Sequence, residues 1–347
     1  MRILVITREF PPHILGGISY HLRELYTRIV ERGHDVTIVA GRCGDATYTP
    51  EESASINFDV HWADYRTIRA HHLQFPFAAK RALANIDLDQ FDVAITHTEL
   101  PFSLDVPTVS KYHDCTQEER QYSRDQMALP VRLLDSALNP TRKLVDKLSL
   151  RSSDRLIFNS KLTHDAWTNH YRVETDYDVI YNGVDTEVFY PRETGSNEDF
   201  LLFVGDSERK GLSRVLHSAS QLDRPVYVIG PSNIDIDGVI ALGRVSQSEL
   251  ARYYSQATAT IHPAKFEAFG NVILESLACG TPVVVSDRCG AAEIIDNSCG
   301  AITADLSHGV DEVQDIDPGA CIDIAEQYTW DNVARSTLDV LRDVRAT

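Results

Sequence analysis

The chain has 347 residues, of which 43% are hydrophobic and 24% are charged, so it is long enough for two globular domains that each bury a core. Its formal net charge of −18 at pH 7 argues against a nucleic-acid partner, because binding a polyanion requires a concentrated basic surface. No apolar stretch reaches the length of a membrane span, and the apolar start at 1–7 is too short for a signal peptide.

The six cysteines are scattered and none forms a Cys-x-x-Cys pair, which predicts reduced thiols rather than a disulfide framework or a zinc site. We therefore expect a soluble, cytoplasmic protein. The segment 130–151 is amphipathic with a locally basic side. A domain helix with solvated charges is the favoured interpretation of this segment. Peripheral docking on the inner face of an anionic membrane, or covering a lipid acceptor, is the alternative.

In the first half of the chain, strand patterns alternate with helical patterns, which is typical of a parallel sheet with crossover helices. We predict strands at 2–7, 35–40, 91–96, 106–112, 155–158 and 178–181. Helices are predicted at 17–32, 129–149 and 161–170, the second of them broken near Asn139–Pro140.

The second half repeats this alternation after a polar, Pro- and Gly-containing stretch that we predict to be a linker. Strands are predicted at 200–204, 225–229, 239–242, 259–262, 283–286 and 301–303, and helices at 211–221, 246–255, 269–279 and 291–296. The predicted α/β organisation is two Rossmann-like, doubly wound domains whose strands end at one crevice. Its parts are a first domain at 1–185, a linker at 186–199, a second domain at 200–327 and a final helix at 328–347.

The most informative stretch contains two glutamates with seven residues between them, Glu267 and Glu275. Glu267 lies in a predicted loop before Gly270, and Glu275 lies two turns into the helix that follows. A carboxylate can accept two hydroxyl groups of a ribose, so this pair could grip a polyhydroxylated ligand. An ordinary strand–loop–helix unit with solvated acids is the alternative.

Three further motifs lie where predicted strands end. Gly16 and Gly17 precede a helix, whose N-terminus favours anions, although a simple turn would have the same sequence. Arg209 and Lys210 open another helix and suit a diphosphate, with a solvated basic turn as the alternative. His113 ends an apolar strand, where it could bond a sugar hydroxyl or simply the backbone at the edge of the core.

In their order along the chain, these motifs resemble the retaining GT-B glycosyltransferases of the "glycosyl transferases group 1" family. The residues that carry the resemblance span nearly the whole chain: Glu267 to Glu275 followed by Gly280-Thr-Pro-Val-Val, the loop from Phe10 to Gly17, Tyr112-His113-Asp114, Asn182-Gly183-Val184-Asp185, and Arg209-Lys210-Gly211. The resemblance implies the GT-B fold, with a final helix that crosses back onto the first domain, which would bind the acceptor.

The resemblance also implies roles for individual residues. Glu275 would bind the ribose and Glu267 would face the donor sugar, which His113 would also contact. The family commonly has arginine directly after the glycine at Gly205, but this chain has Asp206, so the missing guanidinium is assigned to Arg209, beside Lys210. The other implied substrate-binding residues are Gly16 and Gly17 over the donor phosphates, Asn182, Gly205, Val245 near the base, and the backbone of Ala268, Phe269 and Gly270.

We expect neither a cofactor nor a metal. Asp235-Ile-Asp237 imitates the Asp-x-Asp of metal-dependent transferases, but two other stretches do so equally well. Arg209, Lys210 and a helix terminus could neutralise a leaving diphosphate without a cation. Ser/His/Asp spacing and Gly-x-Ser-x-Gly are absent, which fits a retaining transfer in which the diphosphate itself guides the acceptor hydroxyl.

The predicted activity is transfer of a sugar from a nucleotide-sugar donor to a hydroxyl of a sugar, lipid-linked or small-molecule acceptor. Two alternatives remain open. Nucleotide-sugar 2-epimerases share the architecture, and Asp206 could mark a protein that binds a nucleotide sugar without turning it over.

Overall fold

A computed structural model describes residues 1–14, 17–46, 58–193 and 199–346. The first domain contains a seven-stranded, wholly parallel sheet with strand order β3-β2-β1-β4-β5-β6-β7. Strands of such a sheet are covered on both faces, which explains their continuous apolar runs. The strands are β1 Arg2–Thr7, β2 Asp35–Cys43, β3 Asp59–Tyr65, β4 Val93–Thr96, β5 Thr108–Tyr112, β6 Arg155–Phe158 and β7 Tyr177–Val179.

Helices cover both faces of this sheet, and two apolar cores lie between the layers. Strand order reverses between β1 and β4, so their carboxyl ends form the switch point at which such sheets bind ligands. The helices are α1 Gly17–Glu31, α2 His71–Leu83, α3 Thr116–Ser123, α4 Leu129–Ser149 and α5 Lys161–His170.

The second domain contains a six-stranded parallel sheet with strand order β10-β9-β8-β11-β12-β13. Its strands are β8 Leu201–Val204, β9 Val226–Ile229, β10 Val239–Gly243, β11 Ala259–His262, β12 Val283–Val285 and β13 Gly300–Ile302. Its helices are α6 Leu212–Ser218, α7 Gln247–Gln256, α8 Asn271–Ala278, α9 Leu306–Val313 and α10 Pro318–Glu326. The predicted α/β fold of two Rossmann-like domains is therefore confirmed.

The last helix, α11 Trp330–Ala346, packs on α1 of the first domain rather than on the second sheet. Its buried face includes Leu338 and Leu341, which join Leu22 and Leu25 in one apolar core. Arg32 of α1 also pairs with Asp331 at 2.5 Å. The chain thus crosses between the domains twice, once through the linker region and once before α11.

Several local predictions need correction. Strand β3 and helices α2, α3, α9 and α10 were not anticipated, and the predicted helix at 291–296 is a 3-10 helix, Gly290–Ile294. Helix α4 continues through Pro140 without the predicted break. Pro140 is exposed, so the carbonyl group that its missing N–H leaves free can be hydrated.

Among the described residues, none of the helices combines the length and apolarity that a bilayer crossing requires. Residues 194–198 of the predicted linker, and Gly16 of the predicted glycine loop, lie outside the described residues.

Candidate active site

A cavity of about 350 Å³ opens between the two domains, and residues from both line it. It brings together ten of the residues predicted from sequence: Gly17, His113, Asn182, Arg209, Lys210, Glu267, Ala268, Phe269, Gly270 and Glu275. Val245 does not line the cavity but packs, half-buried, against the core of the second domain. Gly205 does not line the cavity either, and a Cβ atom there would meet the Lys210 side chain.

Two glycines fix the position of Lys210. A Cβ atom at Gly205 would lie 2.9 Å from the Lys210 side chain, so the missing Cβ leaves room for the lysine stem. At Gly211, φ is +94° and a Cβ would lie 2.2 Å from the carbonyl oxygen of Pro263, so this turn requires glycine. Within the described residues the Lys210 ammonium has no hydrogen-bond partner, which leaves it available to an anion in the cavity.

Arg209, by contrast, is already paired. Its guanidinium lies 3.3 Å from a carboxylate oxygen of Glu267 and 3.3 Å from one of Glu119, which belongs to α3 of the first domain. It also donates a hydrogen bond to the carbonyl oxygen of Phe266 at 3.0 Å. Arg209 therefore joins the two domains beside the predicted sugar position, and a diphosphate would have to compete with two acids for it.

Glu267 is held by its backbone and surrounded by cations. Its N–H donates to the carbonyl oxygen of Arg288, and its own carbonyl oxygen accepts from the N–H of Gly290, both at 2.9 Å. Burial opposes ionisation, but Lys210, Arg209 and the nearby His262 outweigh it and hold the pKa of Glu267 well below its usual range. Its Oε2 is buried without a hydrogen-bond partner in the described residues, so this anion could accept a ligand hydroxyl.

Glu275 has the opposite electrostatics. It projects from α8, whose N-cap Gly270 has φ +97° and approaches the Cys289 sulfur. The hydroxyl group of Tyr254 donates to its carboxyl group at 2.9 Å. Burial raises the pKa of Glu275 to about 7, against the opposing effects of Tyr254 and Lys210. The acid pair of the motif thus consists of a permanent anion and a group that titrates near neutrality.

His113 belongs to a hydrogen-bonded chain that sequence reasoning missed. The Tyr26 hydroxyl lies 2.5 Å from Nε2 of His97, and His97 Nδ1 lies 2.8 Å from Nε2 of His113. Burial keeps the pKa values of both histidines well below their usual range, so both rings are neutral. His97 follows β4 and His113 follows β5, and their adjacency was hidden until the strand order was known.

This series of hydrogen bonds fixes the tautomers of His97 and His113. The Tyr26 hydroxyl has no other partner among the described residues, so it donates to His97 Nε2. The His97 proton is then on Nδ1 and is donated to Nε2 of His113. His113 consequently carries its own proton on Nδ1, as a neutral hydrogen-bond donor.

Asn182 and the glycine that follows it connect the cavity to helices α8 and α11. It donates from Nδ2 to the side-chain oxygen of Asn271 in α8 at 2.8 Å, and its own side-chain oxygen is buried without a partner in the described residues. A Cβ at the next residue, Gly183, would lie 2.9 Å from Trp330 of α11. The Asn-Gly pair therefore holds α8 and α11 against the first domain.

One group of described residues has the spacing of a metal site: ring nitrogens of His21, His97 and His113 lie within 4.8 Å of one another. The rings of His97 and His113 are also joined to each other by a hydrogen bond. Asp235 and Asp237 of the Asp-x-Asp stretch are exposed and do not line the cavity.

Two different protein-family models match the two halves of the chain. A model of Glycosyltransferase Family 4 matches residues 15–188, and a model of glycosyl transferases group 1 matches residues 189–305. An uncharacterised glycosyltransferase of Methanocaldococcus jannaschii is 26% identical, over 99% of this chain and 98% of its own. A glycogen synthase of Mycobacterium tuberculosis is 26% identical, over 82% of this chain and 78% of its own.

Solved structures agree in fold over nearly the whole chain. Sucrose-phosphate synthase from Thermosynechococcus elongatus superposes with a TM-score of 0.75 at 19% identity, covering 99% of each chain. Anabaena Alr3699/HepE in complex with UDP-glucose superposes with a TM-score of 0.68 at 14% identity, covering 99% of this chain and 100% of its own.

The two sheets and the cavity between them define a protein of the GT-B class. The chain belongs to the glycosyl transferases group 1 family, with a Glycosyltransferase Family 4 first half, and it is a glycosyltransferase. The family predicted from the ordered motifs is confirmed.

Proposed function

We propose that the enzyme transfers a sugar from a nucleotide-sugar donor to an acceptor hydroxyl with retention of configuration at the anomeric carbon. The observation that carries this proposal is the placement of Lys210, Glu267, Glu275 and His113 around one interdomain cavity. Lys210 supplies a free ammonium for the diphosphate, and Glu267 supplies a permanent anion. Glu275 can accept hydrogen bonds from ribose hydroxyls, and neutral His113 can donate a hydrogen bond. These are the groups that binding of an activated sugar would need.

In this proposal the diphosphate lies against Lys210 and the N-terminal end of α8, and the ribose hydroxyls bind Glu275. Glu267 accepts a hydroxyl of the donor sugar through its unpartnered Oε2, and the Nδ1–H of His113 donates to another. The bond between the anomeric carbon and the diphosphate oxygen breaks as the acceptor oxygen bonds to the same face. The acceptor proton passes to the departing diphosphate, so no protein base is required.

The first domain would supply the acceptor site. A smaller cavity of about 30 Å³ adjoins the main one and is lined by Glu9, Glu99 and Lys111. A cavity of this size has room for one or two water molecules, so it could receive a single hydroxyl group of an acceptor bound in the main cavity, whether a free sugar, a small molecule or the head of a lipid-linked sugar. We place the enzyme in the cytoplasm, acting without a metal.

UDP is the nucleotide to test first, because the Anabaena neighbour is a complex with UDP-glucose. The protein is screened with nucleotide sugars by thermal shift, since at equal concentration a ligand that binds the native state more tightly stabilises it more. NMR then follows the sugar bound most tightly, with and without acceptors. We expect slow release of the sugar with water and fast α-linked transfer from an α-linked donor. Inverted product, or an epimerised donor sugar without acceptor, would overturn the proposal, as would tight binding with no turnover.

A further inference from the structure

One face of α4 is apolar and exposed along the entire helix. Four leucines lie on this face, and their exposed fractions are 68% for Leu129, 63% for Leu133, 57% for Leu144 and 40% for Leu148. Successive members of the face are three or four residues apart, so at 3.6 residues per turn they fall within an arc of about 100°. This surface, the α4 stripe, consists of Leu129, Leu133, Ala137, Pro140, Leu144 and Leu148.

Cations border the α4 stripe, whereas the acids of the helix are turned inward. Lys143 and Lys147 are exposed and lie at one edge of the arc. Asp135 pairs with Arg142 at 3.1 Å, and buried Asp146 accepts a hydrogen bond from a tyrosine hydroxyl at 2.5 Å. The exposed side of α4 therefore presents leucines and ammonium groups without an acid, on a chain whose net charge is −18.

Helix α4 stands directly behind the wall of the active-site cavity. Arg120 of α3 pairs with Asp135 of α4 at 2.5 Å. The preceding residue of α3, Glu119, lines the cavity and pairs with Arg209 of the second domain. One short helix thus separates the α4 stripe from the cavity.

We propose that the α4 stripe docks the enzyme on a bilayer that contains anionic lipids. Leucines of an interfacial helix enter the boundary between headgroups and acyl chains, and flanking lysines meet lipid phosphates. Pairing two such faces from two copies of the chain would offer their lysines no anion, whereas a bilayer offers both acyl chains and phosphates. The net charge of the chain favours approach through this acid-free face, because the rest of the surface is repelled.

The test is co-sedimentation of the whole protein with vesicles, and it does not depend on the proposed activity. We expect binding to vesicles of equal parts phosphatidylcholine and phosphatidylglycerol, weakened by salt, and little binding to phosphatidylcholine alone. Leu133→Asp with Leu144→Asp should abolish the binding. Lys143→Ser with Lys147→Ser should weaken it about twenty-fivefold, from about fivefold per lysine.

The matched control is Ile236→Asp, which places the same charge on an apolar residue exposed by 41% in the second domain and should change nothing. The melting temperature of each variant shows whether it is folded. If the double leucine variant does not fold, the double lysine variant still tests the proposal. Equal sedimentation with and without phosphatidylglycerol would overturn the inference. The inference would also be overturned if analytical ultracentrifugation showed that the wild type is a dimer and that the variant with Leu133→Asp and Leu144→Asp is a monomer.

Discussion

Glu119 of the first domain and Arg209 of the second lie 3.3 Å apart across the cleft. The same guanidinium is equally close to Glu267, so one cation is shared between acids of both domains. Burial, reinforced by Asp114, raises the pKa of Glu119 to about 7. The contact between the domains therefore weakens as pH falls through about 7 and Glu119 takes up a proton.

Glu119→Gln should bind UDP-glucose more tightly than the wild type at about pH 8.5, by roughly threefold to tenfold, because it removes a negative charge near the diphosphate. At about pH 5.5 the two proteins should bind alike, since Glu119 is then protonated in the wild type. Isothermal titration calorimetry at both pH values measures the difference. Glu118→Gln is the control, because Glu118 pairs with Arg288 instead. Weaker binding by Glu119→Gln would show that the ion pair serves the donor by holding the cleft closed.

Lys210→Ala should weaken binding of UDP by tenfold to a hundredfold and reduce turnover at least as much, because hydrogen bonds to charged groups contribute about 1.5–3 kcal/mol. The melting temperature without ligand should fall only modestly at neutral pH, because Arg209 still offsets part of the buried charge of Glu267 when Lys210 is removed. Lys265→Ala is the matched control, because Lys265 is paired with Glu208. Unchanged affinity and turnover in Lys210→Ala would remove this lysine from the site.

Tyr26→Phe should reduce turnover by roughly twofold to tenfold while leaving UDP affinity unchanged, because it removes the hydroxyl that fixes the His97 tautomer and, through it, that of His113. NMR of ¹⁵N-labelled histidine would report the mixture of tautomers directly. Tyr253→Phe, on α7 of the other domain, is the control. If Tyr26→Phe keeps both full turnover and the wild-type tautomers, the hydrogen-bonded chain does not position His113.

Glu275→Gln should change how stability depends on pH. The unfolded chain loses this proton near the ordinary value of 4.5, whereas the folded protein keeps it up to a pKa of about 7. Between these values the folded state binds more protons, so the wild type loses stability as pH rises. The Glu275→Gln variant should lose less stability than the wild type as pH rises over this interval. The measurement is the melting temperature of each protein without ligand at several pH values. Glu326→Gln, which changes an exposed glutamate, should show the same pH dependence of melting temperature as the wild type. If Glu275→Gln also showed the wild-type dependence, the raised pKa of Glu275 would be contradicted.

The sequence alone was enough to predict most strands and the ordered motifs. Its apolar runs are continuous where parallel strands are covered on both faces, as at Leu201–Val204 and Ala259–His262. The acid pair Glu267 and Glu275 could also be placed, because a glycine before an apolar helical pattern defines the start of α8. These features depend on neighbours within a few residues, and short-range order is what a single sequence records.

The tertiary structure decided which distant residues meet. His97 lies beside His113 because β4 pairs with β5, and Arg209 lies beside Glu119 because two domains close on one another. The same holds for the exposed leucines of α4, whose apolar pattern would equally suit a buried helix. Contacts and burial of this kind depend on strand order and on packing between layers, and no local pattern in the chain encodes either by itself.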